Sequence, residues 1–152
     1  MKNRSLLRWR FPSSQATEGD IAAVEAQFGV TLPADLRECV LKHNGARPEP
    51  NVFDLPDGNS SVFESLLSFC SQDENSVVRW VEDQRTSLPH NTVPFALDPF
   101  GNLICLQYGS RNALVRVVFW DHEVAGTSPD EAIVELSDSF DEFLALLYES
   151  TD

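Results

Sequence analysis

Apolar residues recur at helical spacing towards both ends of the chain and cluster at strand-like lengths between them. Ile21, Val24 and Phe28 line one stripe of a segment that opens on the capping-box pattern Thr17-x-x-Asp20 and stops at Gly29, which predicts a helix over 17–29. A second helix is predicted from Pro33, whose fixed φ suits a first helical turn; it presents Leu36, Val40 and Leu41 and ends at Asn44-Gly45. With Val30-Thr31-Leu32 between them, the two form a helix pair. Val77, Trp80 and Val81 predict a third helix over 76–85. Ser139-x-x-Glu142, followed by Phe140, Phe143, Leu144 and Leu147 on one face, predicts a last one.

Residues 48–59 are rich in Pro, Asp, Asn and Gly and read as a loop holding a short extended stretch, Val52 to Leu55. The apolar run from Val62 to Phe69 fits strand or helix and is taken as a strand. A hairpin follows: Val93 to Leu97, a turn over Asp98 to Asn102, then Leu103 to Tyr108. A turn at Gly109 to Asn112 leads to a central strand, Leu114 to Trp120, and a loop from Val124 to Asp130 leads to a short strand, Ala132 to Leu136. Trp9 lies in an arm of alternating apolar and basic residues that reads as an edge strand, with surface contact as the alternative. Trp80 and Trp120 read as core, with the Trp120 indole N–H partly accessible near a sheet end.

These elements fill one domain of 152 residues, 42% hydrophobic, with a basic arm at 1–16 and a body at 17–152. No apolar run approaches membrane-spanning length, and Leu6 and Leu7 are hemmed by arginines where a secretion signal would need an apolar core. Cys39, Cys70 and Cys105 are odd in number, widely spaced and set among apolar residues, so they read as buried free thiols of a cytoplasmic protein. Charge sharpens this picture. The net charge is -13 although four of the eleven basic residues precede Phe11, and after Arg116 ten carboxylates follow without one Lys or Arg. Such a field repels nucleic acid and anionic lipid and favours a basic protein partner.

Candidate chemistry is sparse. No glycine-rich phosphate loop occurs, and His43, His90 and His122 lack the spacing of a metal site. Asp121-His122-Glu123 is the one cluster that invites general-base chemistry, but neighbours on a strand point to opposite faces, so a strand-end histidine is expected instead. With no nucleophile elbow and with Cys39 and Cys105 in apolar settings, no catalytic residue, metal or cofactor is assigned, and the chain is read as a non-enzyme.

Four motifs in order carry a family resemblance. Ile21-x-x-Val24-Glu25-x-x-Phe28-Gly29-Val30-x-Leu32-Pro33-x-Asp35-Leu36 with Asn44-Gly45, then Val93-Pro94-Phe95-Ala96-x-Asp98-x-x-Gly101-Asn102-x-Ile104-Cys105, then Val118 to Glu123, then Ser139-Phe140-x-x-Phe143-Leu144 resemble the SUKH superfamily of bacterial toxin-immunity proteins and a fungal cell-wall synthesis regulator. Ala46 departs from the second glycine often found there. The resemblance implies a single α+β domain: a bent, mostly antiparallel sheet of about six strands packed with about four helices. It also implies a non-catalytic protein that neutralises a cognate toxin, a basic nuclease domain being the best chemical match, or else a regulatory scaffold of the same fold. Gly29, Pro33, Asn44, Asp98, Gly101 and Asn102 are then architectural, and partner contact is expected at Asp54, Asp57 and Glu64 and at Asp121, His122 and Glu123.

Overall fold

The computed structural model describes residues 7–84, 88–110 and 114–150. Arg85 at the expected end of the third helix, Arg111 and Asn112 of the expected turn, and the first six residues of the arm lie outside them.

The first two helices follow their sequence signals. Helix α1, Glu18–Phe28, is closed at its start by a reciprocal box in which Thr17 Oγ1 accepts from Asp20 N and the Asp20 carboxylate accepts from Thr17 N at 2.9 Å. Gly29 ends it at φ +68°, the left-handed conformation that favours glycine. Helix α2, Ala34–His43, begins one residue later than expected: Pro33 is the N-cap, with extended ψ of 148°. Glu25 binds the pair together, accepting from Leu32 N and from Arg37 Nη2, each at 2.8 Å, while Arg37 also reaches Glu18. The Tyr108 hydroxyl donates to Thr31 O at 2.9 Å and pins the connection to the sheet.

The strands form three antiparallel sheets. Strand β1, Arg8–Arg10, pairs with β2, Arg47–Glu49; β3, Val52–Asp54, pairs with β4, Ser60–Val62. The main sheet runs β5 (Ser65–Leu66), β6 (Thr92–Leu97), β7 (Leu103–Tyr108), β8 (Val115–Trp120) and β9 (Ile133–Ser137), each beside its sequence neighbour. The run expected as one strand over Val62 to Phe69 is two. The chain changes sheets at Phe63, whose N–H bonds Asn51 O, and Glu64, whose N–H bonds Leu97 O. Helix α3, Val77–Gln84, packs on β6, and α5, Phe140–Ala145, lies against α2, β8 and β9. Where a loop was expected over Val124 to Asp130 there is a helix, α4, His122–Thr127, and a 3-10 turn, Pro129–Glu131. Among the described residues the count is therefore nine short strands and five α-helices, and the class is α+β as expected.

Aromatic rings fill the space between the sheets and α5. Phe143 meets Phe53 edge-on at 5.2 Å and stacks on Phe63 at 6.0 Å, and Phe140 meets Phe95 edge-on at 5.4 Å. At one border of this core, buried Asn44 ties three segments: its Nδ2 donates to Ser14 O and Ser68 Oγ, and its Oδ1 accepts from Phe69 N. Gly45, at φ +74°, lets the chain pass Ser13, where a Cβ would lie 2.5 Å from the Ser13 Cβ. Ala46 has no left-handed φ, so a second glycine is not required there. Trp9 stacks on His43 at 5.6 Å, bringing β1 against the end of α2.

Phe143→Ala should lower stability by about 3–5 kcal/mol, because the rings of Phe53 and Phe63 lose a shared neighbour; urea denaturation reads this directly. Two carboxylates bordering the Asn44 junction set an acid limb. The backbone N–H of Thr17 holds the Asp20 pKa below its usual value, and the Ser68 hydroxyl does the same for Asp73. Their stabilisation is present above the ordinary carboxylate pKa, about 4, and is lost as pH falls through the lowered folded values. The urea midpoint of the Asp20→Asn, Asp73→Asn protein should therefore fall less steeply below about pH 5 than that of the parent.

Candidate functional site

The turn between β6 and β7 is built around a carboxylate that is only 1% exposed, Asp98. A charge removed from water needs donors, and Asp98 has four: Phe100 N and Asn102 N at 2.8 Å on Oδ1, and Asn102 Nδ2 and Ser61 Oγ at 2.9 Å on Oδ2. Gly101 adopts φ +89°, and the His122 ring lies so close over it that a Cβ would sit 3.3 Å from Cε1. The turn therefore has one shape, and it holds Phe100 outward with 67% of its surface exposed.

Asn102 extends the chain of bonds. Its Nδ2 faces the Asp98 carboxylate, so its Oδ1 faces His122, accepting from the His122 backbone N–H at 3.0 Å and lying 2.8 Å from Nδ1. Nδ1 must then carry a proton. The bonded series Ser61, Asp98, Asn102, His122 thus joins β4, the β6–β7 turn and α4.

His122 does not sit at a strand end, as the sequence pattern led one to expect; it is the first residue of α4. Asp121 is that helix's N-cap, its Oδ1 accepting from Glu123 N at 3.0 Å and Val124 N at 3.2 Å. Asp121 is thereby occupied with backbone amides, and the group on Nδ1 of His122 is an amide oxygen, so no carboxylate–histidine dyad forms. Glu123 is exposed in the first turn of α4. Asp54 accepts from the Tyr148 hydroxyl at 2.5 Å, which raises the tyrosine's pKa. Asp57 spends both oxygens on Asn59, and Glu64 pairs with Arg47 at 3.2 Å. Of the six expected contact residues, the Ser61–Asp98 bond links the β3–β4 hairpin that carries Asp54 and Asp57 to the turn beside Asp121, His122 and Glu123.

Several cations are drawn into ion pairs: Arg10 with Glu49, Arg37 with Glu18 and Glu25, Arg47 with Glu64, and Arg116 with Glu135. The excess carboxylates set the sign of the outer field. The thiols are poor nucleophiles. Burial pushes the Cys39 pKa up to about 12, with Asp141 and Asp35 adding to it, and burial raises Cys70 and Cys105 as well. Cys70 and Cys105 are buried as expected, whereas Cys39 is half-buried. The Trp120 indole N–H, expected near solvent, is enclosed without a partner: the residue lies between Leu103 and Ile133, inside the sheet. Among the described residues no group of three or more His, Cys, Asp or Glu side chains could hold a metal ion, and no helix is long and apolar enough to cross a membrane.

Two features escaped the sequence reading. Phe100 looked like one more turn residue, and only the Asp98 bonds show that its ring is held outward. A groove of about 570 Å³ between β9 and α5, lined by Glu135, Leu136, Ser137, Asp138, Glu142, Ala145 and Leu146, depends on which strand lies outermost.

Residues 15–146 match the SMI1 / KNR4 family (SUKH-1). The chain belongs to that family. A related protein is the SPbeta prophage-derived uncharacterized protein YokK of Bacillus subtilis (strain 168), 26% identical over 152 aligned residues that take in 89% of this chain and 76% of the relative. SUKH-1 proteins are generally non-catalytic immunity or regulator proteins that bind protein partners. In this SUKH-1 chain the motif residues Asp98, Gly101 and Asn102 have structural duties, as expected.

Asp98→Ala should cost at least about 3 kcal/mol in urea denaturation, since it leaves several buried donors unmet, whereas His122→Ala should cost about 1 kcal/mol because the residue 122 backbone N–H still bonds Asn102. Iodoacetamide at about pH 8 should leave all three cysteines largely unmodified in the folded protein and modify them on unfolding, read by mass spectrometry.

Proposed function

We propose that this SUKH-1 protein is a cytoplasmic immunity protein that binds and neutralises a cognate bacterial toxin domain, without catalysis. The observation that carries the reading is Phe100: an exposed aromatic ring on a turn locked by a buried carboxylate, one hydrogen-bonded unit away from the acidic start of α4. Binding energy at protein interfaces concentrates in rigid aromatic anchors, which lose little freedom on association. Carboxylates around such an anchor add selectivity and association rate.

Contact is assigned to Phe100, Asp121, His122 and Glu123, with Asp54, Asp57 and Glu64 on the adjoining hairpin and its exit. A nuclease domain fits best as the partner, because its Lys and Arg side chains, placed to hold phosphates, meet a chain of net charge -13. The prophage origin of the Bacillus relative accords with this role.

The product of the adjacent gene should arrest growth when produced alone and permit growth when this chain is co-produced; a non-toxic neighbour overturns the immunity reading. With that toxin in hand, Phe100→Ala and Glu123→Lys should each weaken binding by about tenfold or more without moving the melting temperature, as read by calorimetric titration. The association rate should fall steeply as salt rises towards about 0.15 M, and a flat response would remove charge steering from the mechanism.

A further inference from the structure

Strand β9 ends the main sheet, and among the described residues no strand pairs with its outer side. Exposed sheet edges are usually blunted by lysine, proline, inward charge or a bulge, because their unpaired amides and carbonyls recruit other chains. β9 has the sequence Ile133-Val134-Glu135-Leu136-Ser137, with neither lysine nor proline. Its one irregularity places Leu136 outside the register with β8 and leaves Ile133, Val134 and Glu135 regularly paired with Trp120, Phe119 and Val118. A three-residue stretch of regular edge therefore stays open.

Beside that stretch lies the groove between β9 and α5. Its rim carries Glu135, Asp138 and Glu142, and its apolar surface comes from Leu136 and from Leu146, which is 53% exposed although it follows directly on α5. Arg116 is paired with Glu135 there, leaving the rim acidic overall.

We infer that β9 accepts an extended, Lys- or Arg-bearing segment of a protein partner as an added strand, with an apolar side chain of that segment in the groove over Leu136 and Leu146. This rests on the reading of the partner as a basic protein and names its mode of docking. Backbone bonds to Ile133–Glu135 supply register, and basic side chains meet Asp138 and Glu142. Charge decides the occupant. A second copy pairing edge to edge would bring the acidic rim of Glu135, Asp138 and Glu142 up to an equally acidic one, and like charges brought together in this way are destabilising.

The probe is a short peptide of alternating arginine and valine, followed by calorimetric titration and amide hydrogen exchange at about 0.15 M salt. Binding should slow exchange of the outward-facing amides within Ile133–Glu135 by about tenfold or more. Glu135→Lys with Glu142→Lys should weaken binding by about tenfold, while the charge-matched pair Glu38→Lys with Glu74→Lys should leave it nearly unchanged. Peptide binding without protection of β9, equal losses in both pairs, or a concentration-dependent dimer that protects β9 would each overturn the inference. Full neutralisation of the neighbouring toxin by the Glu135→Lys, Glu142→Lys protein would also overturn it and leave the immunity reading intact. A non-toxic neighbour would do the reverse.

Discussion

A carboxylate shut away from water has to be met by donors from its surroundings, and the way Asp98 meets this demand organises the functional end of the molecule. Two donors come from the turn itself, one from Asn102 and one from Ser61 on a different sheet. Since Ser61 is fixed in β4 and the other donors belong to the turn between β6 and β7, the turn cannot adopt another shape without leaving a buried polar group unmet. The exposed ring of Phe100 and the start of α4 take their positions from that requirement. Asn44 performs the same service at the arm, holding Ser14, Ser68 and Phe69 around an amide that is equally inaccessible.

The sequence was informative wherever structure is decided locally. Thr17 and Asp20 cap α1, Ser139 accepts from Glu142 N at the start of α5, and Asp98 to Asn102 turn β6 into β7. Each depends on residues within a few positions of one another. The run from Val62 to Phe69 misled because its apolar pattern is silent about partners: Ser60–Val62 pairs with β3, and Ser65–Leu66 pairs with β6. Helix α4 escaped because six residues including Gly126 make no periodic stripe, so its only local sign is the capping residue Asp121.

The candidate surface was legible in sign but not in composition. Counting charges revealed the acidic field and could not reveal which carboxylates are already engaged, as Asp57 is with Asn59 and Glu64 with Arg47. Nor could it distinguish Phe100, held outward, from Phe95, enclosed a few positions earlier. Exposure and commitment are properties of the assembled chain. A field of one sign also works at a distance, so the acidic excess guides approach while the rigid ring and the sheet edge govern what happens on contact.

The contact between Asp35 and Asp141 bears on the order in which the chain assembles. Asp35 Oδ2 accepts from the Asp141 backbone N–H at 3.0 Å, so the first turn of α2 helps to seat the first turn of α5, and Tyr148 bridges back to Val52. Both closures join early and late segments. During synthesis the helix pair and the first hairpin leave the ribosome with the face that α5 will cover still open, and the aromatic core stays incomplete until the residues up to Tyr148 have emerged. The nascent chain therefore carries its exposed phenylalanines until α5 has emerged, a period in which its strong negative charge also serves to keep neighbouring nascent chains apart.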